Sequence, residues 1–199
     1  MKSAARHLWD AVGIPFRLAL FRQEWLPHFG WTTLEEERIA AVRPWIRGRL
    51  LDVGAGLNTL ARRYPDGVGV DVHDWGGGAQ VIENAAQLPF PDASFDTVTF
   101  LACLNHIPNR HDAVAEARRV VRPDGRMIAT MIDPILGAIG HAIWWYDESR
   151  ARGGMKPGEV GGLWTREIVA LGTAAGFRLV HHERFVYGLN NLYVFEAPG

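Results

Sequence analysis

Short apolar runs alternate with amphipathic stretches from Arg49 onward, and this alternation is the dominant pattern of the chain. "RLLDV" (49–53) reads as a short buried strand, Leu57 to Tyr64 as a helix, and "GVGVDV" (67–72) as a second strand. "QVIEN" (80–84) is a candidate third strand. "SFDTVTFLA" (94–102), rich in β-branched and aromatic residues, is a fourth. "HDAVAEARRVV" (111–121) sets Ala113, Val114, Ala117, Val120 and Val121 on one side of a helix. "RPDG" then turns the chain into a fifth strand, "RMIATMI" (126–132). Strands separated by helices imply βαβ units and a mostly parallel sheet. Near the end, "FRLVHHERFVY" (177–187) and "NLYVFEA" (191–197) flank "GLN", a hairpin signal. The expectation is an α/β fold: a doubly wound, mostly parallel, Rossmann-like sheet of seven strands that ends in an antiparallel C-terminal hairpin.

Upstream of Arg49 the pattern is helical. Thr33 to Trp45 opens with "TLEE", a capping-box pattern in which Thr33 and Glu36 satisfy exposed amides reciprocally. Leu34, Ile39, Val42 and Ile46 follow at roughly helical spacing, and Pro44 with Gly48 marks the end. Residues 1–48 are therefore expected to form a helical cap segment and 49–199 the main domain. Residues 134–164 do not fit the alternation. Their aromatic start, "HAIWWY", and glycine-rich continuation suggest a lid-like insertion in that domain.

Composition narrows the function. The chain has 199 residues, enough for one well-buried domain with an appendage, and 48% hydrophobic against 22% charged residues is ordinary for a globular protein. A net charge of 21 minus 22, or −1, offers no electrostatic footprint for nucleic acid. The single cysteine, Cys103, excludes an intramolecular disulfide and fits a reducing, cytoplasmic setting. No His, Cys or Asp cluster has metal-ligand spacing, so no metal is expected. Asp10, Pro15 and Arg17 interrupt the apolar start, which argues against a signal peptide and leaves a surface-lying segment open to peripheral membrane contact.

The chemistry centres on "DVGAGLN" (52–58). A parallel α/β sheet binds ligands at the carboxyl ends of its strands, near the point where strand order reverses. Gly54 and Gly56 permit a tight turn and close approach of a ligand to the main chain. Asp71 ends the next strand, 71 minus 52 or 19 residues after Asp52, where a carboxylate can accept both hydroxyls of an adenosine ribose. The dinucleotide fingerprint requires a third glycine where this chain has Thr59, so NAD is the weaker reading. An acid two residues before the first glycine suits a ligand bearing an ammonium group and no pyrophosphate.

"LLDVGAG", "VGVDV", "NAAQLPFPDASFDTVTFLACLNHI" and "EARRVVRPDGRMIATM" together resemble class I S-adenosylmethionine-dependent methyltransferases, specifically the small type 11 group, over about residues 49–132. The resemblance implies S-adenosyl-L-methionine as cofactor. It implies that Asp52, Gly54 and Gly56 meet the methionine end and that Asp71, with Val72 beside it, holds the ribose. It further implies that Asn84 and Ala85 meet the adenine edge, with Gln87 and Leu88 close by. Leu101 would lend backbone contact near the sulfonium, and His106 would lie just beyond. Two positions depart from the family: Asn84 replaces a common acid, and Asn58 stands where a third glycine is frequent, serving either the loop or the cofactor carboxylate.

Methyl transfer from a sulfonium needs the acceptor held close and in line, and a base only where the acceptor loses a proton. Candidates for such a role after strands four and five are His106, Asp133, His141 and Tyr146, each with a plain loop or packing role as the alternative. Trp144 and Trp145, with Trp9, Phe16, Phe21 and Trp25, suggest a small apolar or aromatic acceptor, lipid-linked ones included, enclosed between two segments. The competing functions are a catalytically silent S-adenosylmethionine-binding partner subunit and an NAD-dependent oxidoreductase. Oligomeric state is not legible in the chain.

Overall fold

Seven strands form one sheet: β1 (Leu50–Val53), β2 (Val68–Asp71), β3 (Gln80–Val81), β4 (Phe95–Leu101), β5 (Val121–Met131), β6 (Arg178–Phe185) and β7 (Asn190–Glu196). The computed structural model describes residues 2–17, 23–132, 134–135 and 155–199. Strand order is β3-β2-β1-β4-β5-β7-β6. The first five strands pair in parallel, and β7 pairs antiparallel with both β5 and β6. The expected Rossmann-like α/β architecture with its C-terminal hairpin is therefore present.

Both sheet faces are covered, which explains why strands such as "LLDV" are apolar without alternation. On one face, Val114, Ala117 and Val120 of α3 (Arg110–Val120) and Ile168 and Leu171 of α4 (Thr165–Ala174) pack against Leu51, Val53, Phe100 and Phe195. On the other, Ile39 and Val42 of α2 (Leu34–Val42) cover Leu50, Ile128, Leu192 and Val194. Successive strand residues point to opposite faces. Thus Ile128 belongs to one core, and Met127 and Ala129 to the other.

Four local expectations change. Leu57 to Tyr64 is not an α-helix but a run of turns ending in a 3-10 turn at Ala61–Arg63. Asn58 sits at φ 58, a left-handed angle that no α-helix continues through. The third strand is reduced to Gln80–Val81. "RPDG" does not precede the fifth strand; β5 starts at Val121, directly after α3, with Asp124 at φ 60 inside it. Finally, α2 stops at Val42, and Pro44 lies in a 3-10 turn at Arg43–Trp45. Only half of its capping box forms: Thr33 Oγ1 accepts from the Glu36 N–H at 3.1 Å, while the Glu36 carboxylate turns to Arg63 at 2.6 Å.

The N-terminal segment is fastened by a buried charge cluster. The Asp10 carboxylate accepts from the Thr32 N–H at 2.9 Å and from Lys2 at 2.7 Å. Arg17, fully buried, donates to the Asp10 and Thr32 carbonyls and to Glu37. Burial alone raises the Asp10 pKa, but the hydrogen bonds from Lys2 and Thr32 and the Arg17 charge hold it down at about 2. Tyr187 Oη, in the β6–β7 turn, donates to the His7 carbonyl at 2.8 Å, tying α1 (Ala4–Val12) to the sheet end that carries the parallel strands' carboxyl termini.

Candidate functional site

The sheet's strand order reverses between β1 and β4, and the loops leaving these strands meet there. Gly54 sits at φ 73, and a Cβ there would lie 2.7 Å from Cys103 Cβ, so only glycine lets the two loops close on each other. The Cys103 thiol donates to the Val53 carbonyl at 3.0 Å, and burial pushes its pKa well above the ordinary range. Gly56, by contrast, faces open space.

Two carboxylates flank this opening. Asp52 is 3% exposed and accepts from Thr99 Oγ1 at 2.6 Å. Burial pushes its pKa up to about 7 against the Thr99 hydrogen bond, and the charges of Asp71 and Glu35 add to the rise. Asp71 shapes the loops directly: Oδ2 accepts from the Gly56 N–H at 2.9 Å and Oδ1 from the His73 N–H at 3.0 Å. Each carboxylate oxygen accepts more than one hydrogen bond, so Asp71 keeps capacity for a diol.

Asn58 ties the loops after β1 and β2 together. Its Nδ2 donates to the Gly78 carbonyl at 3.2 Å, and its Oδ1 fits where a Cβ of Gly69, only 2.0 Å away, would stand. Gly69→Ala is therefore expected to destabilise the fold by about 2 kcal/mol through overpacking. Asn58→Gly, which removes that oxygen and suits the left-handed angle, should return much of the loss. A denaturant-unfolding cycle over both sites measures the coupling, and additive effects would contradict it.

The remaining expected residues divide. Asn84 Oδ1 already accepts from the Ala86 N–H and from Asn109 Nδ2, both at 2.9 Å, which links the loop after β3 to the start of α3. Ala85 and Leu88 send their side chains into the core, so the main chain is what they can offer a ligand. Val72 and Gln87 are exposed. Leu101 packs beside the α2-side core. His106 lies in the 3-10 turn Leu104–His106 after β4, with Nδ1 3.4 Å from Glu159 Oε2. Asp133, His141 and Tyr146, like Phe21, Trp144 and Trp145, lie outside the described residues. Among the described residues no acid, histidine or cysteine cluster has metal-binding geometry, and no helix is long and apolar enough to cross a membrane.

Thr99, Gly69, Asn105 and Glu159 carry no motif that marks them in the sequence. Thr99 had one faint signal, a hydroxyl two residues before the strand end. Its place beside Asp52 depends on strand register, which the sequence does not print.

A glycine-bent first loop beside the switch point of a doubly wound sheet, with one acid just before the end of β1 and another ending β2, is the arrangement of class I S-adenosylmethionine-dependent methyltransferase domains. Residues 51–129 match the type 11 family model described as a methyltransferase domain. Over 117 residues it is 33% identical to 27-O-demethylrifamycin SV methyltransferase of Amycolatopsis mediterranei, covering 48% of this chain and 43% of that protein. Over 112 residues it is 30% identical to the ubiquinone/menaquinone biosynthesis C-methyltransferase UbiE of Ectopseudomonas mendocina, covering 45% and 43%. The chain thus spans less than half the length of these curated relatives. A solved structure of Burkholderia thailandensis 1,6-didemethyltoxoflavin-N1-methyltransferase, with bound 1,6-didemethyltoxoflavin and S-adenosylhomocysteine, shares the fold. Its TM-score is 0.58 at 17% identity, over 100% of this chain and 93% of that one.

Proposed function

We propose that this chain is a methyltransferase that moves the methyl group of S-adenosylmethionine to a small apolar or aromatic acceptor, lipid-linked acceptors included. The observation that carries the reading is the pair of buried carboxylates at the switch point, Asp52 behind the loop and Asp71 across it, around the open side of Gly56. These groups fit the cofactor: Asp52 would hold its ammonium group, Asp71 its ribose diol, and the Gly54–Gly56 main chain its amino-acid end. The bound cofactor supplies an electrophilic methyl on a sulfonium. The absence of a helix after Gly56 removes the helix-end amides that a pyrophosphate uses, which counts further against NAD.

The acceptor reading rests on the N-terminal segment, which sits at the same end of the sheet. Trp9, Phe16 and Phe29 gather around Trp31 with ring centroids 5.4 to 5.9 Å apart. Leu8 and Val12 are exposed on α1, an apolar face suited to an acceptor drawn from a lipid surface. The names of the relatives, a rifamycin and a quinone methyltransferase, support a cyclic organic acceptor. Calorimetry should show binding of S-adenosylmethionine and S-adenosylhomocysteine and none of NAD; the reverse result would sink the proposal. Transfer of labelled methyl to quinol and polyketide phenols, reduced in Trp144→Ala and Trp145→Ala, tests the acceptor class and its enclosure.

A further inference from the structure

His106 and Glu159 are 53 residues apart in the chain and meet at 3.4 Å, Nδ1 to Oε2. The Glu159 side chain is 1% exposed, and a carboxylate so enclosed needs polar partners. The segment that carries it is pinned to the loop after β4 at further points. The Val160 N–H donates to the Asn105 carbonyl at 2.9 Å, and Asn105 Nδ2 returns a bond to the Val160 carbonyl at 3.2 Å. Arg110 of α3 reaches the Leu104 carbonyl at 3.1 Å and the Gly158 carbonyl at 2.5 Å.

The tautomer follows from this network. Asn105 Nδ2 lies 3.0 Å from His106 Nε2, and an amide nitrogen only donates. Nε2 therefore accepts, and the ring proton sits on Nδ1, directed at Glu159. Since Asn105 Nδ2 has two hydrogens, it can release Nε2 and keep its bond to Val160.

We propose that Glu159 is the positioning residue of His106, fixing the ring as the Nδ1–H tautomer so that Nε2 is the basic nitrogen, and that the seating of residues 156–163 arms this base. The proposal rests on the methyltransferase reading and deepens it. Nε2 takes the proton that the acceptor heteroatom gives up as that atom bonds to the methyl carbon and the methyl–sulfur bond breaks, its electron pair staying on sulfur. Glu159 stabilises the resulting imidazolium, and solvent later collects the proton. Among the described residues, the charged and titratable groups on the packed elements include Arg110, His111, Asp112, Glu116, Arg118 and Arg119 of α3, Lys156 and Glu159 of the pinned segment, and the Cys103 thiol, which burial keeps protonated.

The test is nitrogen-15 NMR of histidine-labelled full-length protein, with His106→Gln assigning the resonance. In the unsubstituted protein at pH 8, His106 should show the Nδ1–H tautomer. Glu159→Gln should lower the His106 proton affinity at least about tenfold, with Glu159→Asp restoring most of it. Calorimetric affinity for S-adenosylhomocysteine should stay within about twofold in both variants, as expected for groups outside the cofactor loops. An Nε2–H tautomer in the unsubstituted protein overturns the proposal, and that reading needs no variant to fold. An unchanged proton affinity in Glu159→Gln, or loss of S-adenosylhomocysteine binding along with it, overturns it too. Failure of the unsubstituted protein to bind S-adenosylhomocysteine strikes the methyltransferase reading instead and leaves the NMR result interpretable.

Discussion

Asp71→Ala is expected to weaken S-adenosylhomocysteine binding by about 100-fold or more, read by calorimetry. The carboxylate has two tasks. Its oxygens hold the Gly56 and His73 N–H groups, which set the course of both loops, and on the proposed reading they also accept from the ribose diol. Hydrogen bonds to an ionised carboxylate are worth about 1.5–3 kcal/mol each, so losing the ribose pair alone reaches that range. Asp71→Asn separates the two tasks. Its amide oxygen can still accept from one loop N–H, so the fold should survive while much of the ribose affinity is lost. Equal affinity in Asp71→Ala and the unsubstituted protein would refute the ribose assignment.

The sequence made the outer frame of this site legible, and particular residues show why it stopped there. Asp52, Gly54, Gly56 and Asp71 are separated by fixed short distances along the chain, and a parallel sheet must bring the ends of neighbouring strands together. Their meeting was therefore readable from spacing alone. The turn at 57–64 was not, because its apolar spacing is that of a helix. What breaks it is the left-handed Asn58, whose amide is held by Gly78 and accommodated by Gly69. Those contacts join residues on three different segments, and no local propensity encodes them. Thr99 and Glu159 are the same case: each is defined by what it touches across the sheet or from a distant segment. Asn84 shows the limit of a motif, which gave its position but not that Asn109 and the Ala86 N–H already occupy its oxygen.

The second large effect concerns pH. S-adenosylmethionine affinity is expected to rise with pH and level off above about 7, because Asp52 must be ionised to face an ammonium group and burial has pushed its pKa up to about 7. Below that value each pH unit should cost up to about tenfold in affinity. At pH 6 binding should release close to one proton, measurable by calorimetry in buffers of different ionisation enthalpy. The ligand-free protein shows the opposite sign. A carboxyl whose pKa is raised on folding holds its proton in the native state, so this group's contribution to stability is complete below about 3.8 and is lost as pH rises through about 7. Cofactor binding and ligand-free stability thus pull on Asp52 in opposite directions, and the Thr99 hydroxyl at 2.6 Å favours the ionised, binding-competent form. Thr99→Val removes that hydrogen bond and should displace the affinity profile to higher pH. Asp52→Asn should flatten it, lower affinity at pH 8, and make the ligand-free protein more stable at that pH. A profile that stays steep in Asp52→Asn would assign the proton to another group.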